Sequence, residues 1–200
     1  MRTAEKQRLR ERMKMISDER SLLLPLPFEA EALFMENILK LDAWKNSSSV
    51  LLFSPIGWEP DPMELISVAP EYSFFFPRIA GDHLEIHRMS PRSRWITGPY
   101  GIREPDPGSW DRAGLSEVDL ALIPGLAFDP KGGRLGRGKG FYDRLLGHPE
   151  FRGIKAGLAW DWQIVAEVPC DSDDIPMDFV VTPGKIHQTG STLDKLRERR

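Results

Sequence analysis

LALIPGLAFDPKGGRLGRGKGFYDRLL, residues 120–146, opens as an apolar run, passes through a loop crowded with glycine and basic residues, and ends in an amphipathic helix start. Strand, loop and helix in that order are the repeating unit of an α/β sheet. The order also puts the glycines where a helix N-terminus turns its free N–H groups outward, a natural seat for an anion. Gly136, Gly138 and Gly140 let the backbone approach closely. Arg134, Arg137 and Lys139 add the full charges that a polyphosphate would require. The spacing from Gly133 to Lys139 meets the GxxxxGK pattern, but Gly140 stands where a P-loop has the Ser or Thr that holds magnesium. The GxGxxG dinucleotide pattern is absent as well, because Phe141 and Tyr142 follow Gly140. A divalent ion would need another ligand, and Asp143 is the nearest hard oxygen donor. On composition alone, a basic surface loop with Asp143 as a first-turn helix charge explains the same residues.

Outward from this block, SVLLFSP, SFFFPRI, HLEIHRM, GIKAGLAW and FVVTP read as further strands, most of them apolar enough to be covered on both faces. Residues 3–20 read as a helix with Leu9, Met13 and Ile16 on one face and Lys6, Arg10 and Lys14 on another. A second helix starts near Pro27 and runs through EAEALFMENILKLDAW, and PDPMELISVA gives a short third one. The alternation predicts a three-layer α/β fold, a mainly parallel sheet with helices on both faces. TGPYGIREPDPGSW reads as a long ordered loop, and the terminal DKLRERR as a frayed helix end.

Two hundred residues with 40% hydrophobic and 28% charged content suit one domain spanning residues 1–200. A net charge of −3 gives no whole-chain attraction to nucleic acid or an anionic membrane, so a basic site must be local. The single cysteine, Cys170, forms no internal disulfide, and no CxxC pair is present, which favours a reducing cytoplasm. No apolar run approaches the ~20 residues of a membrane span. His83, His87, His148 and His187 are scattered and form no metal set.

Pro124-Gly-Leu-Ala-Phe-Asp129 followed by Arg134-Leu-Gly-Arg-Gly-Lys-Gly-Phe-Tyr-Asp143 resembles the signature of the 5-formyltetrahydrofolate cyclo-ligase family. Shorter similarities extend over most of the chain: Lys6-Gln-Arg-Leu-Arg10, Phe75-Phe-Pro-Arg78, Gly101-Ile-Arg-Glu-Pro105, and Gln163 with Val168-Pro169. The resemblance implies an enzyme that uses ATP and Mg²⁺ to convert 5-formyltetrahydrofolate, with or without a polyglutamate tail, to 5,10-methenyltetrahydrofolate, ADP and phosphate. It implies that the formyl oxygen attacks the γ-phosphate, N10 closes on the formyl carbon, and phosphate leaves. Lys6, Arg10, Arg134, Gly136, Arg137, Gly138, Lys139, Gly140, Phe141 and Tyr142 would then face ATP, Asp143 would hold the metal, and Arg137, Lys139 and Glu59 would serve catalysis.

For the folate half, Glu59 follows the first strand where the family has a substrate glutamate, and Glu104 is a second carboxylate. Trp58, Phe76, Trp95 and Tyr100 are aromatic wall candidates for a flat pterin. Two departures stand out: Pro62 where Thr is common, and Asp173-Asp174 where the family usually has His-Asp or Asn-Asp. Charge added by that pair would weaken an anion site if it lay close. Two other readings compete with the enzyme. A regulator of the same fold would keep the phosphate loop without folate turnover. A nucleic-acid binder would use the basic helix and loop, against the net negative charge and the lack of an RRM, KH or zinc pattern. Monomer and dimer are equally compatible with the sequence.

Overall fold

The structure, a computed structural model, describes residues 2–21 and 28–189. Pro27 and the DKLRERR terminus lie outside the described residues. An eight-stranded sheet organises the chain. Its strands are β1 (Ser49–Leu51), β2 (Ser73–Ala80), β3 (His83–Arg88), β6 (Asp111–Ala113), β7 (Leu120–Ile123), β10 (Ile154–Leu158), β11 (Phe179–Val181) and β12 (Ile186–Gln188), in the order β12-β11-β10-β7-β1-β2-β3-β6. The five central strands from β11 to β2 pair in parallel, and the outer ones pair antiparallel.

The alternation of side chains along the strands builds two cores. Val50, Leu52, Phe74, Phe76, Leu120 and Leu122 point to one side. Leu51, Phe75, Ala121 and Ile123 point to the other. Helices α2 (Phe28–Lys40), α3 (Asp42–Lys45) and α4 (Leu65–Val68) cover the first side through Phe34, Ile38, Trp44 and Leu65. Helix α5 (Phe141–Leu146) covers the second through Leu145 and Leu146. Burying each phenylalanine of the 74–76 run stabilises the fold by about 1.5–3 kcal/mol. The three-layer α/β architecture expected from the sequence is therefore the one observed.

Helix α1 (Arg2–Ser21) lies apart from both layers. Leu9, Met13 and Ile16 pack on Ala127, Leu135 and Val168, on and beside a small antiparallel hairpin, β8 (Ala127–Phe128) with β9 (Arg134–Leu135). The segment 97–110, expected as a continuous loop, instead contributes most of a second hairpin, β4 (Trp95–Thr97) with β5 (Arg103–Pro105). Three-residue strands are too short for alternation to register, and Pro99 and Pro105 make the segment read as a loop.

Winding reverses at β1. The chain passes first to β2 on one side and later to β7 on the other, so the carboxyl ends of β1 and β7 flank a topological switch point. Such a point is where an open α/β sheet leaves a crevice for ligands.

Candidate active site

A cavity of about 610 Å³ opens at this switch point. The loop after β1 contributes Phe53, Ser54, Ile56 and Glu59; the loop after β7 contributes Pro124 and Gly125. The basic loop from Arg134 to Asp143 closes one side, α1 adds Lys6 and Arg10, and Tyr100 and Glu104 come from the β4–β5 hairpin. Ile79 and Leu84 give it apolar wall. All ten residues expected to face a nucleotide line one cavity with Glu59, Glu104 and Asp143.

The basic loop is held from below by Asp129. Its buried carboxylate accepts from the amides of Lys131 (2.8 Å), Gly133 (3.0 Å) and Val168 (2.8 Å). A Cβ at Gly133 would collide with that carboxylate, which explains a glycine there. Gln163, fully buried, donates to the carbonyl of Gly125 (2.8 Å) and accepts from the Trp160 amide (2.8 Å). Trp160 Nε1 donates to the Trp58 carbonyl (2.7 Å), so the loops after β1, β7 and β10 are braced together. Asp129 and Gln163 were visible in the sequence only as members of longer motifs.

The three cations of the loop differ. Arg134 is buried, donates from Nη2 to Asp143 Oδ1 (2.8 Å), and lies over the Tyr142 ring at 5.6 Å. Its Nε has no partner among the described residues. Arg137 is half exposed and donates to Glu59 Oε1 from Nη2 (2.8 Å) and Nε (3.3 Å). Lys139 is exposed on the cavity rim. Gly138 and Gly140 both take positive φ, +96° and +67°, a conformation that needs glycine. Gly140 turns the loop into α5.

Glu59 is buried; burial raises its pKa above the ordinary carboxylate value, while Arg137 and the Ile56 amide pull the other way. Burial likewise raises Glu104, against the Ile79 amide and Arg78. Burial, with Glu59 adding to it, raises the Tyr142 phenol, keeping it protonated.

Lys6 and Arg10 reach the site from α1. Arg10 Nε donates to the Gly136 carbonyl (3.0 Å). Lys6 pairs with Asp171 (2.8 Å) and with Asp174. Burial opposes its charge, but the two aspartates outweigh that, and its pKa is raised. Of the Asp173-Asp174 pair, Asp174 lines the cavity beside Lys6, whereas Asp173 is exposed and bonded to Ser172. The unusual acid at 173 is therefore not among the described residues that line the cavity, and the Asp174 charge is met by Lys6.

Three expected wall aromatics sit elsewhere. Trp58 packs on Trp162 at 4.7 Å, and Trp95 packs edge-on against Phe76 and Trp110, both at 4.8 Å. None of Trp58, Trp95 and Phe76 is among the described residues that line the cavity. Large aromatics gain more from burial in an apolar cluster than from an open wall. Tyr100 does line it, exposed and with a positive φ of 62°.

Among the described residues no group of three or more His, Cys, Asp or Glu side chains could hold an ion. Asp143, on the cavity wall beside the loop glycines, fits the mode in which Mg²⁺ takes one or two carboxylates and completes its shell with phosphate oxygens and water. Among the described residues, no helix is long and apolar enough to cross a membrane.

Comparison with known proteins identifies the family and the fold. Residues 2–183 match the model of the 5-formyltetrahydrofolate cyclo-ligase family. The 5-formyltetrahydrofolate cyclo-ligase of Mycolicibacterium smegmatis is 30% identical over 142 residues, 68% of this chain and 73% of that protein. The mouse protein of the same name is 27% identical over 191 residues, 86% of this chain and 89% of its own. The NMR structure of Aquifex aeolicus 5,10-methenyltetrahydrofolate synthetase superposes with a TM-score of 0.75 at 33% identity, covering 92% of this chain and 93% of that one.

Proposed function

This chain belongs to the 5-formyltetrahydrofolate cyclo-ligase family, and from that premise we propose that it uses MgATP to close 5-formyltetrahydrofolate to 5,10-methenyltetrahydrofolate, releasing ADP and phosphate. The observation that carries the reading is one cavity lined both by a glycine-basic loop and by two buried carboxylates, Glu59 and Glu104. A polyphosphate needs the loop. The polar edge of a pterin, rich in N–H donors, needs the carboxylates.

In this reading the formyl oxygen attacks the γ-phosphorus as the bond to ADP breaks. N10 then closes on the formyl carbon, loses its proton, and phosphate departs with the formyl oxygen. Little covalent work falls to the protein; it positions the two reactants and stabilises charge. Arg137, Lys139 and the amides of residues 136–140 neutralise the transferring group. Arg134 orients Asp143 through its Nη2 hydrogen bond, and Asp143 would hold Mg²⁺, which supplies charge neutralisation at the phosphates when bound. Glu59 and Glu104 orient the pterin, and the apolar wall of Ile79 and Leu84 limits water around the reacting phosphoryl group. The whole chain acts as one catalytic unit on a small-molecule substrate.

Mixing the protein with MgATP and 5-formyltetrahydrofolate, and following methenyl absorbance together with ADP, tests this. Equal amounts of both products, and neither without nucleotide, are expected. ADP without methenyl product, or binding of nucleotide without turnover, would leave a nucleotide-binding protein of the same fold.

A further inference from the structure

We propose that the Arg137–Glu59 ion pair is a latch joining the two substrate sites, so that nucleotide and folate each bind more tightly once the other is present. The inference rests on the reading of the cavity as a site for both. The pair spans 78 positions of sequence and ties the loop after β1 to the basic loop. Its two ends are unequal. Glu59 is fixed: its side chain is 3% exposed, and Oε2 accepts from the Ile56 amide of its own loop at 2.9 Å. Arg137 is the open end: its side chain is 47% exposed, and the backbone carrying it is held at both flanks. On one side Arg10 holds the Gly136 carbonyl, and on the other Arg144 Nη2 donates to the Lys139 carbonyl at 2.9 Å. Gly138 lies between them.

One guanidinium cannot serve Glu59 and a phosphate at full strength together. Turning Arg137 toward phosphate with the folate place empty leaves a buried carboxylate with one amide donor, which is unfavourable. A nucleotide arriving alone therefore finds Arg137 engaged. A ligand whose N–H groups take over at Glu59 releases the arginine to the nucleotide. By linkage the effect is reciprocal. The same contact explains why a carboxylate and an arginine, expected on different substrates, meet in the structure.

Calorimetric titration with a non-hydrolysable MgATP analogue, with and without saturating 5-formyltetrahydrofolate, tests the latch. In the unaltered protein folate should tighten analogue binding on the order of tenfold, within the usual range of coupling. Arg137→Gln should bring that factor close to one. Glu59→Gln, which keeps the side-chain shape and removes the charge, should bind the analogue several-fold more tightly than the unaltered protein in the absence of folate. Equal analogue affinities with and without bound folate, an undiminished factor in Arg137→Gln, or no tightening in Glu59→Gln would each overturn the latch while leaving the assignment of substrates intact. Failure of 5-formyltetrahydrofolate to bind at all would overturn that assignment, and the latch with it.

Discussion

Two arginines three positions apart make opposite kinds of ion pair. In Arg134–Asp143 the cation is buried, 4% exposed, and the carboxylate reaches the cavity at 22%. In Arg137–Glu59 the carboxylate is buried at 3% and the cation is open at 47%. In each pair a buried partner holds a more exposed one; in the proposed reading the exposed partners, Asp143 and Arg137, would meet the metal and the phosphates, and Glu59 would meet the folate. The difference teaches that a run of like charges in a glycine loop need not be a row of equivalent phosphate ligands. Arg134 presents an acid, whereas Arg137 presents itself.

The largest consequence should appear on removing the buried cation. Arg134→Met should cost about 3 kcal/mol of stability in denaturant unfolding, because it strands Asp143 and empties a packed site. An equal loss from Arg137→Met would erase the contrast between the pairs. Next comes Asp143→Asn, expected to keep the fold and raise the magnesium concentration for half-maximal turnover by on the order of ten- to a hundredfold. An unchanged magnesium titration would remove the metal role from this residue.

A smaller effect follows from Glu59. Its folded pKa already stands above the unfolded value, so its contribution to stability is full below pH 4.5 and is lost as pH rises through the folded value. Removing Arg137 raises that value further. Arg137→Ala should therefore cost about 1 kcal/mol near pH 7 and less near pH 5, and the acid limb of kcat/KM for folate should move to higher pH. A pH-independent loss would show that the arginine does not govern Glu59. The smallest effect on stability belongs to Lys139→Ala, whose unfolding free energy should stay within about 0.5 kcal/mol, because the side chain is exposed.

Much of this arrangement is written locally. The alternation in 49–52, 73–76 and 120–123 specifies strands with two buried faces, and the spacing of Leu9, Met13 and Ile16 specifies the docked face of α1. The basic loop reads as an anion site because glycine spacing and charge lie within ten residues of sequence. Contacts between distant segments leave no such trace. The Arg137–Glu59 pair and the grip of Asp171 and Asp174 on Lys6 depend on how loops meet at the switch point. For Trp58 and Trp95, composition specifies a need for burial but not whether a ligand or another ring satisfies it. The departure at Asp173-Asp174 was the one sequence signal near the Lys6 contact, and only the fold separates the acid that lines the cavity from the one that does not.

The central claim is that the exposed side of the basic loop acts on the transferring phosphoryl group rather than merely gripping nucleotide. Steady-state kinetics of Arg137→Ala and Lys139→Ala at saturating MgATP test it most directly. Lost ground-state binding alone would raise KM for ATP and leave kcat untouched. The account predicts that kcat falls on the order of a hundredfold, about 3 kcal/mol, in at least one variant, with Lys139→Ala the first to examine. Two unchanged kcat values would contradict it and reduce the loop to a nucleotide clamp.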